Sequence, residues 1–424
     1  MGNLDYTQVL NKIENTRRFG NEPGVVVTAQ VIKVLREKGK QKRIIPYIHV
    51  AGTNGKGSVC AFFSSILKKE HMRVGTFVSP HLVDFEERIT VDGRMIPKED
   101  VTRLGNYLLD IDFGIGLTMF DYCLAMALLY FEEQQCDYMV IETGLGGRLD
   151  STNAIGTPQC AVITKIGYDH MAILGSDIAD IAAEKAGIIK ENGTVVVEQQ
   201  DKRAMQVIEQ EAKKKHARII TVEQSDIARC SGYALRLCGT FQWENAAAAE
   251  LAARYVLGKR YSGPEYEMQY DKTEPKSEKT DLNDRIKSAL EEAVWPGRME
   301  IVSKEPFLLV DGAHNSNGVD ALKESLMQMY PGEKFCFFMG VMADKDYDVM
   351  IREILPLAEE FYTVTPDSDR ALQASHLADF IRKEGVCATE LSGVDEIRGH
   401  LKRDTKNVAF GSLYFIGELK QHRI

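Results

Sequence analysis

The stretch Tyr47–Ser58, YIHVAGTNGKGS, constrains this chain more than any other. An apolar run of Tyr47, Ile48, Val50 and Ala51 breaks into Gly52-Thr53-Asn54-Gly55-Lys56-Gly57-Ser58. A helical pattern then resumes through Val59, Phe62, Phe63, Ile66 and Leu67. Strand, glycine-rich turn, lysine and helix is how a chain builds a cradle for phosphates. The glycines let backbone N–H groups turn inward, the helix N-terminus adds partial positive charge, and the lysine neutralises an outer phosphate. The spacing departs from the common GxxxxGK[ST] loop, which has glycine where Val50 stands and a hydroxyl residue where Gly57 stands. A segment like this can also be no more than a tight turn. Gly52, Gly55 and Gly57, with Lys56 among them and Ser58 behind, favour the phosphate reading.

With 424 residues the chain is long enough for two separate cores. A formal charge of −10 argues against a general nucleic-acid or membrane-surface binder, so phosphate binding has to come from a local site. The eight cysteines are scattered without a CxxC pair, which favours reduced, buried thiols over disulfides or a zinc site. The polar N-terminal residues lack the apolar core of a signal peptide, and no apolar run reaches the length of a membrane span. The expectation is a cytoplasmic protein that binds neither nucleic acid nor membrane.

Strand and helix patterns alternate almost throughout, which predicts an α/β class with largely parallel sheet. Strand-like runs are Val74–Val78, Tyr138–Glu142, Ala161–Ile166, Thr194–Glu198 and Arg218–Val222. Helical patterns are Thr118–Gln134, Ile178–Lys190, Lys202–Lys215 and Glu244–Leu257. The polar stretch Gly258–Arg285, interrupted by Pro264 and Pro275, reads as a solvated loop. A second α/β unit follows Trp295-Pro296-Gly297-Arg298. Its strands are Phe307–Val310, Phe335–Met339, Phe361–Thr365 and Val408–Phe410, and its helices Val319–Tyr330, Tyr347–Leu357 and Ala374–Glu384. The expected architecture is an N-terminal phosphate-loop domain over 1–295, a mostly parallel sheet flanked by helices. A smaller Rossmann-like domain then occupies 296–424.

Open α/β sheets hold ligands at the C-terminal ends of their strands. Three groups of hard ligands fall there: Ser79-Pro80-His81, Glu142, and Asp169-His170. Each has a plainer reading. Ser79 before proline suits a turn, and His170 alone suits a satisfied polar residue. Glu142 is harder to dismiss, because a carboxylate directly after four apolar residues is costly without a partner. Lys185, among small and apolar neighbours, could be a partly buried amine of lowered pKa, but its residues alone favour a solvated helix face. Asp311-Gly312-Ala313-His314-Asn315 follows another strand, and Arg298 at the domain junction could stabilise charge on a transferred phosphoryl group. Glu244-Asn245 could be a helix cap.

Taken in order, these segments resemble the folylpolyglutamate synthase and dihydrofolate synthase family, within the Mur-ligase-like ATP-dependent ligases. The matching stretches are His49–Ser58, Ser79–Leu82 with Glu87–Ile89, Glu142–Asn153, Asp169-His170 and Glu184–Lys190. They continue with Phe241–Asn245, Trp295–Arg298, Asp311–Asn315, Asp344–Asp346 and Gly411–Glu418. The resemblance spans nearly the whole chain. It implies that ATP phosphorylates a terminal carboxylate to an acyl phosphate, which the amine of L-glutamate then attacks. The implied acceptor is a reduced folate, with extension to dihydropteroate. The alternatives are an enzyme acting chiefly on dihydropteroate, or a nucleotide-binding module or NTPase without ligase activity.

By the same resemblance, Asn54, Gly55, Lys56, Gly57, Ser58, Asn245, Arg298 and Asp311 bind ATP. Ser79, Glu142, His170 and Lys185 hold magnesium, expected as two ions, with Lys185 carrying a carbamate. Lys56, Lys185, His170, Arg298 and His314 form the catalytic set. Thr118, Met119, Phe120 and Asp121, with Leu149, Asp150 and Ser151, contact the pterin-bearing substrate. A monomer is implied. Three departures stand out: Asp121 where the family has Glu, Tyr168 before Asp169-His170, and the long polar stretch 258–285.

Overall fold

The computed structural model describes residues 3–16, 20–262 and 276–422. The chain forms two compact units. One comprises Met1–His81, Phe85–Ala234 and Glu244–Ala293; the other comprises Leu82–Asp84, Leu235–Trp243 and Val294–Ile424. Among the described residues, no helix is long and apolar enough to cross a membrane.

The first unit is built on an eight-stranded sheet. Its strands are β1 (Tyr47–Ala51), β2 (Val74–Phe77), β3 (Ile89–Val91), β4 (Arg94–Met95), β5 (Tyr138–Glu142), β6 (Cys160–Ile163), β7 (Thr194–Val197) and β8 (Arg218–Thr221). The order is β4-β3-β2-β5-β1-β6-β7-β8. The pairs from β2 to β8 are parallel, and β3 and β4 add antiparallel strands at one edge. Strand β1 is fully buried because both faces are covered, which is why Tyr47–Ala51 reads as a nearly continuous apolar run. On one face pack the helices Gly24–Glu37, Lys98–Leu109 and Met119–Glu133 through Val31, Leu35, Leu104 and Phe131. Farther along the same face pack Ile178–Ala186 and Lys202–Lys214 through Ile181, Ala204 and Ile208. Lys56–Lys69 and Phe241–Ser262 cover the other face, where Ser64 meets Thr76 and Tyr255 meets Thr194. The helix Met119–Glu133 is apolar on nearly every side and correspondingly buried from Cys123 to Phe131.

In the second unit, six strands run in the order β13-β12-β11-β14-β10-β9. They are β9 (Glu300–Lys304), β10 (Phe307–Val310), β11 (Phe335–Met339), β12 (Ala358–Thr363), β13 (Cys387–Glu390) and β14 (Lys406–Phe410). All pairs are parallel except β9 with β10. Phe335, Phe337, Phe361 and Phe410 fill one face of this sheet, and Phe338, Phe415 and Ile416 the other. The expected α/β class with two mostly parallel sheets is what the chain forms.

Three expectations need correction. The helix read as Ile178–Lys190 ends at Ala186 with Gly187 as its C-cap, a position where a β-carbon would come within 2.4 Å of Arg148. The helix read as Glu244–Leu257 runs from Phe241 to Ser262, so Glu244 and Asn245 lie inside it and do not cap it. The stretch 258–285 is not a continuous loop: helix covers it up to Ser262 and again from Lys276, while 263–275 lies outside the described residues.

Candidate active site

Strand order places the candidate ligands of the first unit on one sheet edge. Strands β2, β5, β1 and β6 are neighbours, and beyond their C-terminal ends come Ser79, Glu142, the glycine loop and His170.

The glycine loop leaves β1 at Ala51 and enters the helix Lys56–Lys69. Gly55 caps that helix in the left-handed region, with φ of 88°. A β-carbon there would stand 2.3 Å from Asn245 Oδ1, so glycine is required twice over. The first half of the loop is held from the end of β6. The Lys165 carbonyl accepts both the Thr53 and Asn54 amides, at 2.9 and 3.2 Å, and Thr164 Oγ1 donates to the Asn54 carbonyl at 2.6 Å. Lys56 Nζ donates to the Thr53 carbonyl at 3.3 Å and lies 3.7 Å from Glu142 Oε1. Glu142 is buried, and its other oxygen accepts the Ser79 amide at 3.3 Å. The loop thus holds a helix N-terminus and a lysine ammonium beside a buried carboxylate.

Lys185 corrects the solvated-face reading. It is only 4% exposed, and its Nζ donates to the Gly52 carbonyl at 2.8 Å. Burial, with the Lys56 charge nearby, lowers its pKa to about 7. Two glycine motifs interlock to put it there. A β-carbon on Gly147 would meet the Glu184 and Lys185 carbonyls at 2.9 and 3.0 Å, and the Arg148 amide donates to the Glu184 carbonyl at 2.8 Å. Asn153 Nδ2 closes the lock on the Arg148 and Gly187 carbonyls. His170 stands apart in character: its backbone is left-handed at φ of 52°, its side chain is 40% exposed, and its Nε2 lies 4.0 Å from Asp169 Oδ1.

The turn Leu149–Ser151 and the helix start Thr118–Asp121 are tied together. Asp121 is buried, and its carboxylate accepts the Thr118 amide and hydroxyl, Ser151 Oγ at 2.6 Å and Thr28 Oγ1 at 3.4 Å. Asp150 is equally committed, accepting the Gly144, Leu145 and Thr152 amides and the Thr152 hydroxyl. Burial raises its pKa against these hydrogen bonds. Leu149 is 52% exposed, and Phe120 lies against Gly144 and 5.4 Å from the Phe77 ring centroid. Sequence reading missed His49, whose Nε2 lies 2.7 Å from Thr152 Oγ1, and Thr164 and Lys165. A histidine inside a fully buried strand was the available signal for the first; the others act through contacts remote in sequence.

In the second unit, Asp311 follows β10 and is buried. Its two oxygens accept the Met299 and Ala313 amides, each at 2.8 Å. Burial pushes its pKa up while the Arg298 charge pulls it down. His314 Nδ1 is 2.7 Å from the Gly312 carbonyl, which can only accept, so the ring carries its hydrogen on Nδ1. Met119 lies in the first turn of its helix, and Gly57 and Ser58 in the first turn after Gly55.

Magnesium takes hard oxygen ligands and keeps water and phosphate oxygens in its shell. The buried Glu142 carboxylate beside Ser79 fits such an ion. Among the described residues no three His, Cys, Asp or Glu side chains form a complete cage.

These features define a class. Residues 50–253 match the Mur ligase middle domain, and residues 297–409 match the Mur ligase, glutamate ligase domain. The chain is 33% identical over 454 residues to the dihydrofolate synthase/folylpolyglutamate synthase of Bacillus subtilis, covering 98% of both chains. It is 30% identical to the folylpolyglutamate synthase of Lacticaseibacillus casei, covering 87% of each. A Mycobacterium tuberculosis folylpolyglutamate synthase complexed with ADP and AMPPCP superposes with a TM-score of 0.82 at 25% identity, over 99% of each chain. E. coli FolC in complex with DHPP and ADP gives 0.80 at 26% identity, over 99% of this chain and 97% of that one. The chain belongs to the folylpolyglutamate synthase/dihydrofolate synthase family and is an ATP-dependent glutamate ligase.

Proposed function

We propose that the chain joins L-glutamate to the terminal carboxylate of a reduced folate, and also to that of dihydropteroate, through an acyl phosphate. The observation that carries this reading is the convergence of Lys56, Glu142 and Lys185 on the Gly52–Gly55 loop. Phosphoryl transfer asks a protein mainly for positioning and charge. Lys56 and the first-turn amides of Gly57 and Ser58 supply positive charge, and Asn54, Gly55 and Asn245 set the shape of the loop.

Ser79, Glu142 and His170 would hold magnesium, which when bound neutralises phosphate charge. Lys185 would carry a carbamate: burial lowers its pKa to about 7, so a substantial share of the amine is free base at neutral pH. Arg298, Asp311 and His314 serve the second module's part, with the Arg298 charge meeting the phosphoryl group. Phe120 and Leu149 offer the pterin ring an apolar surface beside Thr118, whose hydroxyl is committed to Asp121. Asp121, Asp150 and Ser151 shape that surface.

Incubating the protein with ATP, magnesium and L-glutamate, and with dihydropteroate or tetrahydrofolate, tests the reading by product mass. Each acceptor should gain one glutamyl residue with release of ADP and phosphate. ATP hydrolysis that ignores both acceptors would overturn it.

A further inference from the structure

We propose that His49 is a positioning residue for the substrate turn, acting through Thr152 on Asp150. It rests on the reading above in which Leu149–Ser151 meet the substrate. His49 sits on the central strand β1, wholly buried, three residues before Gly52. Its Nε2 is 2.7 Å from Thr152 Oγ1, and its Nδ1 is buried without a hydrogen-bond partner. Thr152 is fully buried too, and its hydroxyl donates to Asp150 Oδ1.

The direction of this chain follows from the count of hydrogens. Asp150 Oδ2 already accepts the Gly144 and Leu145 amides, at 3.0 and 2.8 Å, and Oδ1 accepts the Thr152 amide at 3.0 Å. The carboxylate therefore acts as acceptor throughout, and the single Thr152 hydroxyl hydrogen goes to it. His49 must then donate from Nε2, leaving a bare lone pair on Nδ1. The reverse order would strand an N–H on Nδ1, and an orphaned buried donor is rarer and costlier than an under-used acceptor. Burial and the Lys190 charge lower the His49 pKa to about 3, so the ring is neutral in this arrangement.

A threonine hydroxyl rotates freely unless something fixes it. Here the fixing group lies 103 residues away, on the strand that carries the phosphate loop. His49 thereby aims Thr152 at Asp150, and Asp150 holds the Gly144–Leu145 amides and the turn behind them.

Nitrogen-15 NMR of the histidines in the intact enzyme, with KM and kcat for folate and for ATP, tests this. His49 should show the Nε2–H tautomer. His49→Leu and Thr152→Val should each raise the folate KM about tenfold, as expected for a lost buried hydrogen bond, and leave the ATP KM unchanged. His49→Gln, which keeps an N–H near the Nε2 position, should recover most of the loss. The double variant His49→Leu with Thr152→Val should be no worse than either single one. A charged or Nδ1–H ring, a matching rise in the ATP KM, or additive losses would overturn the proposal. If His49→Leu does not fold, Thr152→Val carries the kinetics and the wild-type spectrum carries the direction. Asp150→Asn separates the two readings. An unchanged folate KM there removes the substrate role of the turn. A raised one, beside an unchanged Thr152→Val, removes only the role of His49.

Discussion

Lys185 Nζ donates to the Gly52 carbonyl at 2.8 Å, so a buried lysine from one helix braces the first glycine of the phosphate loop. Two motifs more than 130 residues apart in sequence are thereby one structure.

Lys185→Ala should abolish ligase activity while the protein still folds, because it removes a buried amine whose proton is already weakly held. Added formate or acetate should restore part of the activity by standing in for a carbamate. Carbon-13 NMR under labelled CO2 should show a carbamate signal in the wild type that the variant lacks. Activity of the variant equal to wild type would contradict the assignment.

Gly55→Ala should impair nucleotide binding more than folding. The new methyl would need the left-handed region, costing about 1 kcal/mol, and would displace Asn245 from 2.3 Å away. Lys56→Ala should lower kcat by about a hundredfold or more, the scale for removing one group that meets developing charge. Calorimetric titration with a non-hydrolysable ATP analogue, paired with circular dichroism, distinguishes these effects from unfolding.

Asp311→Asn should destabilise the second unit by about 1–3 kcal/mol, since both carboxylate oxygens accept backbone amides and an asparagine must turn its own N–H2 toward one of them. Urea unfolding followed by fluorescence measures it. No loss of stability would mean that the Met299 and Ala313 amides find other acceptors.

Stability should fall as pH drops below about 6.5. The His49 pKa is lowered from 6.5 to about 3 in the folded chain. Between those values the unfolded state binds the proton and the folded state does not, so protonation favours unfolding and stability rises with pH. Below about 3 this contribution levels off. Replacing His49 with Gln should flatten the part of the Tm–pH curve that His49 supplies; an unaltered curve would place the acid sensitivity elsewhere.

How much of this was legible in sequence depended on how local the cause was. Tyr138–Glu142, Phe307–Val310 and Phe335–Met339 coincide with their strands because each is a continuous apolar run buried on both faces. The end of the helix at Ala186 did carry a local signal, the glycine at its C-cap, but the apolar Ile188-Ile189 that follows extends the helical pattern past it. The amphipathic helices Tyr6–Glu14, Gly24–Glu37 and Lys98–Leu109, and the β3–β4 pair, carried ordinary signals that the reading left unassigned. Among site residues, Glu142 stood out because a carboxylate ending an apolar strand demands a partner. Lys185 did not, because its burial comes from Gly147 and Gly52, both far along the chain. His49 was hidden by lying inside the most recognisable motif of all.

One peptide carbonyl, that of Lys165, receives two consecutive amides of the phosphate loop, while the Lys165 amide itself is held by the buried Glu198 carboxyl at 2.7 Å. The loop's curvature is therefore set by main chain that no side-chain substitution at 165 would delete. An alanine scan would pass over this position as neutral. The nucleotide cradle has a support that is invisible to genetics at its own residue and exposed by changing the side chains that hold the flanking amides, Glu198 on Lys165 and Gln200 on Ile166.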